Sequence, residues 1–297
     1  MMRGRLAVSF AACAIMVVLA DSGFAQAGRR TMFTSVLDST GVPVQSVNPD
    51  DLVVREDKVI REVLETWPAT EPMDIALLVD NSSASEPLIR DYREALQAFI
   101  TGIAADETGA KHQIAVITLA DRPTIKADYR TSVTDATKAV ASLFSMPESG
   151  TYLLDGIIES SKGLAKRSSE RAVIVAITTE GPELSGRQYQ SVLEPLRASG
   201  AALHAIVVGR PQNNNPDRVT VLGRGTKESG GSYDNILSST GLTARMKKLA
   251  AELTHQFKVT YSRPESLIPP KQVTISGAKS GLTVRGAAAR VVTQERR

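Results

Sequence analysis

The sequence predicts a doubly wound α/β protein: a mostly parallel open sheet with helices on both faces, plus a small β domain formed by the two ends of the chain. Three observations predict it. Apolar runs at 75–79, 114–119, 172–177 and 202–208 are continuous rather than alternating, the pattern of parallel strands buried on both faces. Amphipathic stretches separate those runs, and strand–helix alternation of this kind builds an open α/β sheet. Short segments with partial period-2 alternation lie on either side of this zone; such strands do not make a stable sheet alone, so the two ends are expected to pair.

Taken in chain order, residues 1–27 read as a signal peptide. Arg3 and Arg5 give a positive start, 6–20 is an apolar stretch, and Ala25-Gln26-Ala27 offers small residues for cleavage. The stretch is short for a membrane span. The single cysteine, Cys13, lies inside this leader. The exported chain is therefore expected to have no disulfide, thiolate metal site or cysteine nucleophile, which suits a bacterial periplasmic or secreted protein.

Residues 28–70 form the N-terminal β segment. A strand at 32–37 meets a turn at Ser39-Thr40-Gly41, and 52–54 with 59–67 reads as a hairpin around Glu56-Asp57-Lys58. That acidic turn is read as solvated. Residues 71–256 carry the α/β unit. Ile89, Tyr92, Leu96, Phe99, Ile100 and Ile103 make one helical stripe; Leu153, Leu154, Ile157, Ile158 and Leu164 a second; Tyr189, Val192, Leu193 and Leu196 a third, stopped by Gly200. Residues 122–130 suit an antiparallel edge strand, and Leu242, Met246, Leu249 and Leu253 a last helix. Residues 257–297 supply strands at 258–261, 273–275 and 282–285, expected to pair with 28–70.

With 42% hydrophobic and 23% charged residues, the chain has the composition of a globular protein. Losing Arg3, Arg5 and Asp21 with the leader takes the net charge from +3 to +2. No dense basic run is present, and aromatics are only 4%, so nucleic-acid binding is not expected. The chemistry is sought instead where an open α/β sheet places its ligands, beyond the carboxyl ends of its strands where the strand order reverses. The first apolar run ends in Asp80-Asn81-Ser82-Ser83-Ala84-Ser85, the third in Thr178-Thr179-Glu180-Gly181, and Ser149-Gly150-Thr151 precedes a helix. Convergence of Asp80, Ser82, Thr151 and Glu180 would give two carboxylates and two hydroxyls, hard oxygen donors suited to Mg²⁺.

Other motifs yield less. Gly223-Arg-Gly225 with Gly230 fits no phosphate-loop spacing and reads as a turn. His112, His204 and His255 are scattered, with His204 inside a strand. No Gly-x-Ser-x-Gly elbow occurs. Lys162, Lys166 and Arg167 end a helix, where cations suit the macrodipole.

The central region resembles a von Willebrand factor type A domain. That family's metal-ion-dependent adhesion site begins Asp-x-Ser-x-Ser; here Asp80 and Ser82 match, but Ala84 stands at the third position. Thr151 matches the family's threonine, and Glu180, in Thr179-Glu180-Gly181, stands where the family has aspartate. The wider chain, about 31–290, is similar to a bacterial group of exported proteins with such a domain, through Gly41-Val-Pro-Val44, Asp51-Leu-Val-Val-Arg-Glu-Asp57, Ser229-Gly-Gly-Ser-Tyr233 and Gln256-Phe-Lys-Val-Thr-Tyr261. The oxygen-rich edge at a switch point, without a nucleophile–base pair, predicts a non-enzymatic protein-binding module of adhesion or assembly. A partner's acidic residue would complete Mg²⁺ at Asp80, Ser82, Thr151 and Glu180. A metal-free structural protein of the cell envelope is the alternative, and a metal-assisted hydrolase using Asp80 and Glu180 a third.

Overall fold

The computed structural model describes residues 28–129, 132–212, 215–264, 270 and 272–289. The leader at 1–27 lies outside them, as does the end of the edge strand expected at 122–130. The chain opens with four strands: β1 (Gly28–Leu37), β2 (Leu52–Glu56), β3 (Val59–Arg61) and β4 (Val63–Pro68). Asp57 and Lys58 both take positive φ, 46° and 75°, which makes the tight β2–β3 turn. The stretch 59–67 is not one strand, because the chain leaves β3 and changes sheet at Glu62. Nor is Glu56 solvated. It is 2% exposed, and its carboxylate meets Arg61 at 3.0 Å, Arg263 at 3.5 Å and the Tyr261 hydroxyl at 3.0 Å. Two cations and a hydroxyl replace the water that a buried carboxylate needs.

The α/β unit follows. β5 (Met73–Val79) leads through a 3-10 turn at Ser83–Leu88 into α1 (Ile89–Ala104); then come β6 (Gln113–Thr118), β7 (Thr124–Ala127), α2 (Val133–Ala141), α3 (Leu153–Ala165), β8 (Arg171–Thr179), α4 (Tyr189–Ser199) and β9 (Ala202–Val208). Strand and helix alternate to that point except where β6 is followed by β7 and α2 by α3. α5 (Pro216–Thr220), a π turn at Val221–Gly225 and α6 (Thr226–Glu228) precede β10 (Tyr233–Ile236) and α7 (Leu242–Thr254). Gly223 and Gly225 thus sit in a helical turn and not in a loop. The sheet runs β10-β9-β8-β5-β6-β7, parallel except for β7. β5, β8 and β9 are buried throughout, so both faces are covered and period-2 alternation is absent. One core packs α1, α2 and α7 on one face, and a second packs α3 and α4 on the other. α4 stops at Gly200, whose φ of 64° a residue without Cβ adopts freely.

The chain closes with β11 (Phe257–Arg263), β12 (Val273–Gly277) and β13 (Thr283–Ala288). β1 lies between β11 and β13, both antiparallel, and β4 borders β11. β2 pairs with β12 and β3. The strands before the α/β unit are therefore bonded to those after it, around Met32, Val36, Leu52, Val54, Val259 and Tyr261.

Candidate functional site

β5 has β6 on one side and β8 on the other. The chain proceeds outward from β5 in both directions, so the strand order reverses between β5 and β8. The loops after Val79 and Thr179 border that crevice. Three loops are stitched together there. Asn81 is buried; its side-chain oxygen accepts from the Leu119 and Ala120 amides, and its amide donates to the Phe144 carbonyl. The Ser83 hydroxyl donates to the Ser149 carbonyl at 2.8 Å. The Thr151 amide donates to Pro182 O, and the Leu184 amide donates back to Thr151 O, each at 2.8 Å.

Asp80 is fully buried and saturated with donors. Its Oδ1 accepts from the Ser82 amide, and its Oδ2 from the Thr178 hydroxyl, the Thr179 amide and the Thr179 hydroxyl, each at 3.0 Å. Ser82 and Thr151 behave differently. Both are fully buried, and neither hydroxyl has a hydrogen-bond partner in the protein. Gly181 brings them into one neighbourhood: a Cβ placed on it would lie 3.9 Å from Ser82 Oγ, and the next residue's carbonyl holds the Thr151 amide. The same added Cβ would come within 2.6 Å of the Ala84 methyl, so Ala84 closes directly on the loop. Ser85 is buried and held on its own turn, its hydroxyl donating to Ser82 O at 2.7 Å.

Glu180 turns aside from this group. Its carboxylate takes Arg218 Nη1 at 3.1 Å, while Arg218 Nη2 donates to Thr179 O at 2.5 Å. Both side chains are nearly buried. Arg218 stands on α5, where the Asn215 side chain caps its amide. Glu183, on the same loop, is a buried carboxyl whose Oε2 has no partner. Burial raises its pKa against the opposing hydrogen bonds of Ser185 and the charge of Arg218. The Tyr92 hydroxyl on α1 is likewise buried without a partner; burial and then Asp80 push it well up, and Arg218 opposes them. Sequence reasoning missed Thr178, Thr179, Glu183 and Arg218. Thr178 and Thr179 adjoined a recognised motif and were legible as donors to Asp80, whereas nothing in the sequence ties Arg218 to a loop 38 residues earlier.

The donors fit a hard divalent cation in part. Two buried hydroxyl oxygens without partners beside a carboxylate suit one. Ala84 withdraws an oxygen and Arg218 occupies Glu180. Among the described residues no cluster of three His, Cys, Asp or Glu side chains could hold a metal. Hydroxyls, with Asp80 behind them, are the donor set this edge offers. On the rim, Phe144 and Leu184 are 58% and 49% exposed.

A family model for the von Willebrand factor type A domain matches residues 74–231. In fold the chain is similar to proximal thread matrix protein 1 from the mussel byssus, at 16% identity and a TM-score of 0.50, over 71% of this chain and 50% of that one. It is also similar to a von Willebrand factor type A protein from Catenulispora acidiphila, at 13% identity and a TM-score of 0.50, over 91% and 75%. The chain thus spans half the length of the mussel protein. No curated protein matches it.

Proposed function

The chain belongs to the von Willebrand factor type A domain family, and from that premise we propose that it is a non-enzymatic protein-binding module, exported to the periplasm or beyond, whose docking surface is the carboxyl edge of the parallel sheet. Domains of this family often hold a metal ion there. In this chain Ser82 and Thr151 would hold Mg²⁺ directly with Asp80 behind them, and the ion would supply a positive centre for a partner's carboxylate. The observation that carries the reading is the pair of buried hydroxyls, Ser82 Oγ and Thr151 Oγ1, without protein partners. A buried polar atom left unpaired costs about 1–3 kcal/mol, a cost that a ligand satisfying both would offset. Exposed Phe144 and Leu184 flank the crevice with the apolar contacts that a protein partner buries.

Binding rather than catalysis is supported by the histidines. His112 accepts from the Met73 amide through Nδ1 and meets Asp106 through Nε2, His204 is buried in β9, and His255 faces the Ala251 carbonyl. None stands beside Ser82 or Thr151. Mn²⁺ or Mg²⁺ should raise the melting temperature of the wild type by a few degrees, since a ligand that binds only the native state stabilises it by mass action. Asp80→Asn should lose that shift. A wild-type melting curve indifferent to both ions removes the metal from the reading.

The alternative, a metal-free assembly protein of the envelope, is favoured by Ala84 and by the Arg218–Glu180 pair. Capture from native envelope extracts separates the two. EDTA should abolish capture in the first case, whereas in the second only Leu184→Asp or Phe144→Asp should.

A further inference from the structure

We propose that Arg218 is a resident cation of the candidate metal site, which holds Glu180 out of the ligand shell and so competes with a divalent ion for it. The inference rests on the reading of the carboxyl edge as a metal-assisted docking site and goes a step beyond it, to what sets the strength of metal binding. A single residue links the two charges. Thr179 gives its amide and hydroxyl to Asp80 Oδ2 and takes Arg218 Nη2 on its carbonyl, so the guanidinium stands one residue from the carboxylate of the site. The fork of Arg218 spans that carbonyl and the Glu180 carboxylate at once, a geometry that a planar guanidinium meets and an ammonium does not. Arg218 is 5% exposed, so water screens its charge poorly. Its field reaches across the crevice, opposing Asp80 at Tyr92 and acting on Glu183 and Tyr233.

Two consequences follow for a dication. The Arg218 charge repels it, and the acidic side chain that would offset this repulsion is already engaged. Glu180 is one methylene longer than aspartate, which lets its carboxylate swing to the β9 side, where its Cγ lies 3.8 Å from the Cβ position of Gly209. The π turn at Val221–Gly225 directly continues the helix bearing Arg218. A π turn changes the helical register and leaves α5 joined to α6 by a turn wider than an α-helical one. Bringing Glu180 onto the ion thus requires that it exchange Arg218 for the ion, and Arg218 sets how much ion is needed.

Mn²⁺ binding, read as loss of the free-ion electron paramagnetic resonance signal, tests this on the purified chain. Arg218→Met should tighten Mn²⁺ binding on the order of tenfold, as expected for removing one unit charge beside a dication across a partly hydrated site. Arg218→Lys keeps the charge but loses the fork, so its gain should be clearly smaller than that of Arg218→Met. The double variant Arg218→Met, Glu180→Gln should lose the gain, because the released carboxylate is gone. Should Arg218→Met fail to fold, Arg218→Gln, which retains a donor toward Thr179 O, carries the same expectation. Equal binding by wild type and Arg218→Met overturns the inference and leaves the metal reading standing. An equal gain in Arg218→Lys, or a gain that survives Glu180→Gln, overturns it too, since charge or Glu180 would then be uninvolved. No Mn²⁺ binding by wild type or by any Arg218 variant overturns both the inference and the metal reading.

Discussion

The two ends of β8 present one buried arginine each, and they are used in opposite ways. At the amino end Arg171 donates to the Glu71 carbonyl at 2.6 Å, the Leu253 carbonyl at 2.7 Å and the Gln256 side chain at 3.1 Å, with its guanidinium over the Phe33 ring. Those contacts join β8 to α7, to the connection between β4 and β5 and to β1, and seal that edge against the terminal strands. At the carboxyl end Arg218 stands beside Glu183, and Ser82, Tyr92, Thr151 and Glu183 each keep a buried polar atom without a partner, while the Nε of both arginines is unpaired. The amino edge commits the terminal nitrogens of its arginine to the fold and leaves only Nε unpaired, whereas the carboxyl edge leaves several side chains unpaired. Unsatisfied groups are expensive, so a native structure concentrates them where binding repays the cost. The difference predicts that substitutions at the amino edge lower stability and that substitutions at the carboxyl edge lower binding.

The largest effect is expected at Arg171. Arg171→Met leaves three acceptors without their donor and should cost about 3 kcal/mol or more, at about 1–3 for each group left unpaired. The urea midpoint measures it. Burial already depresses the Arg171 pKa to about 10, against the favourable charges of Glu71 and Asp106, so this cation is held by geometry and not by a close carboxylate. A loss below about 1 kcal/mol would mean that the terminal strands hold without this clasp, and the contrast between the edges would fail.

Much of this was legible in the sequence, for a definable reason. The runs that became β5, β8 and β9 are apolar at nearly every position, His204 excepted, because both faces are covered, and periodicity reports burial directly. The placement of Asp80 and Ser82 just after β5 and of Thr151 just before α3 was legible from the apolar run and the helical stripe beside them. Glu180 was placed in the right loop but given the wrong neighbour, since a motif fixes where the backbone goes and not which cation a longer side chain will reach. Glu56 was misread for the same reason. Its partners Arg263 and Tyr261 arrive from β11, about two hundred residues away. α2 and the π turn were missed because their apolar positions are few and interrupted by glycine, threonine or alanine.

The second effect is a pH dependence on the side of the terminal strands. His204 in β9 bonds Ser232 through Nδ1, and its Nε2 has no partner. Burial lowers its pKa to about 4, with Glu252 and Asp234 opposing and Arg285 and Arg245 reinforcing the shift. A depressed folded pKa gives stability that is full above the unfolded value of 6.5 and is lost as pH falls through about 4. The loss should reach about 3 kcal/mol, and urea titrations of His204→Gln should lack it. Glu252 adds in the same direction: burial raises it, but His204, Arg285 and Arg245 outweigh burial and hold it below its usual range. Glu183 at the carboxyl edge has the opposite sign. Its raised pKa gives stability present below 4.5 and lost as pH rises through the folded value, so Glu183→Gln should be the more stable protein at neutral pH. Acid therefore weakens one edge and relaxes the other.

The smallest effect is the sharpest test of the comparison. Ser82→Ala and Thr151→Val each delete a buried hydroxyl that bonds nothing in the protein. At a sealed edge such a change breaks a hydrogen bond and costs about 1 kcal/mol. Here it removes an unpaired oxygen from a dry position, so stability without metal should be unchanged or rise by up to about 1 kcal/mol. In the same proteins the melting shift produced by Mn²⁺ should shrink or vanish. Thermal melts with and without the ion read both quantities from one sample. A variant that is less stable and still shifts with Mn²⁺ would show that these hydroxyls serve the fold, as the polar groups around Arg171 do, and the two edges would no longer differ in kind. A variant that is stable and silent to metal places the cost and the use of the hydroxyls in the same crevice, because the atoms that weaken the free protein are then the ones that capture the ion.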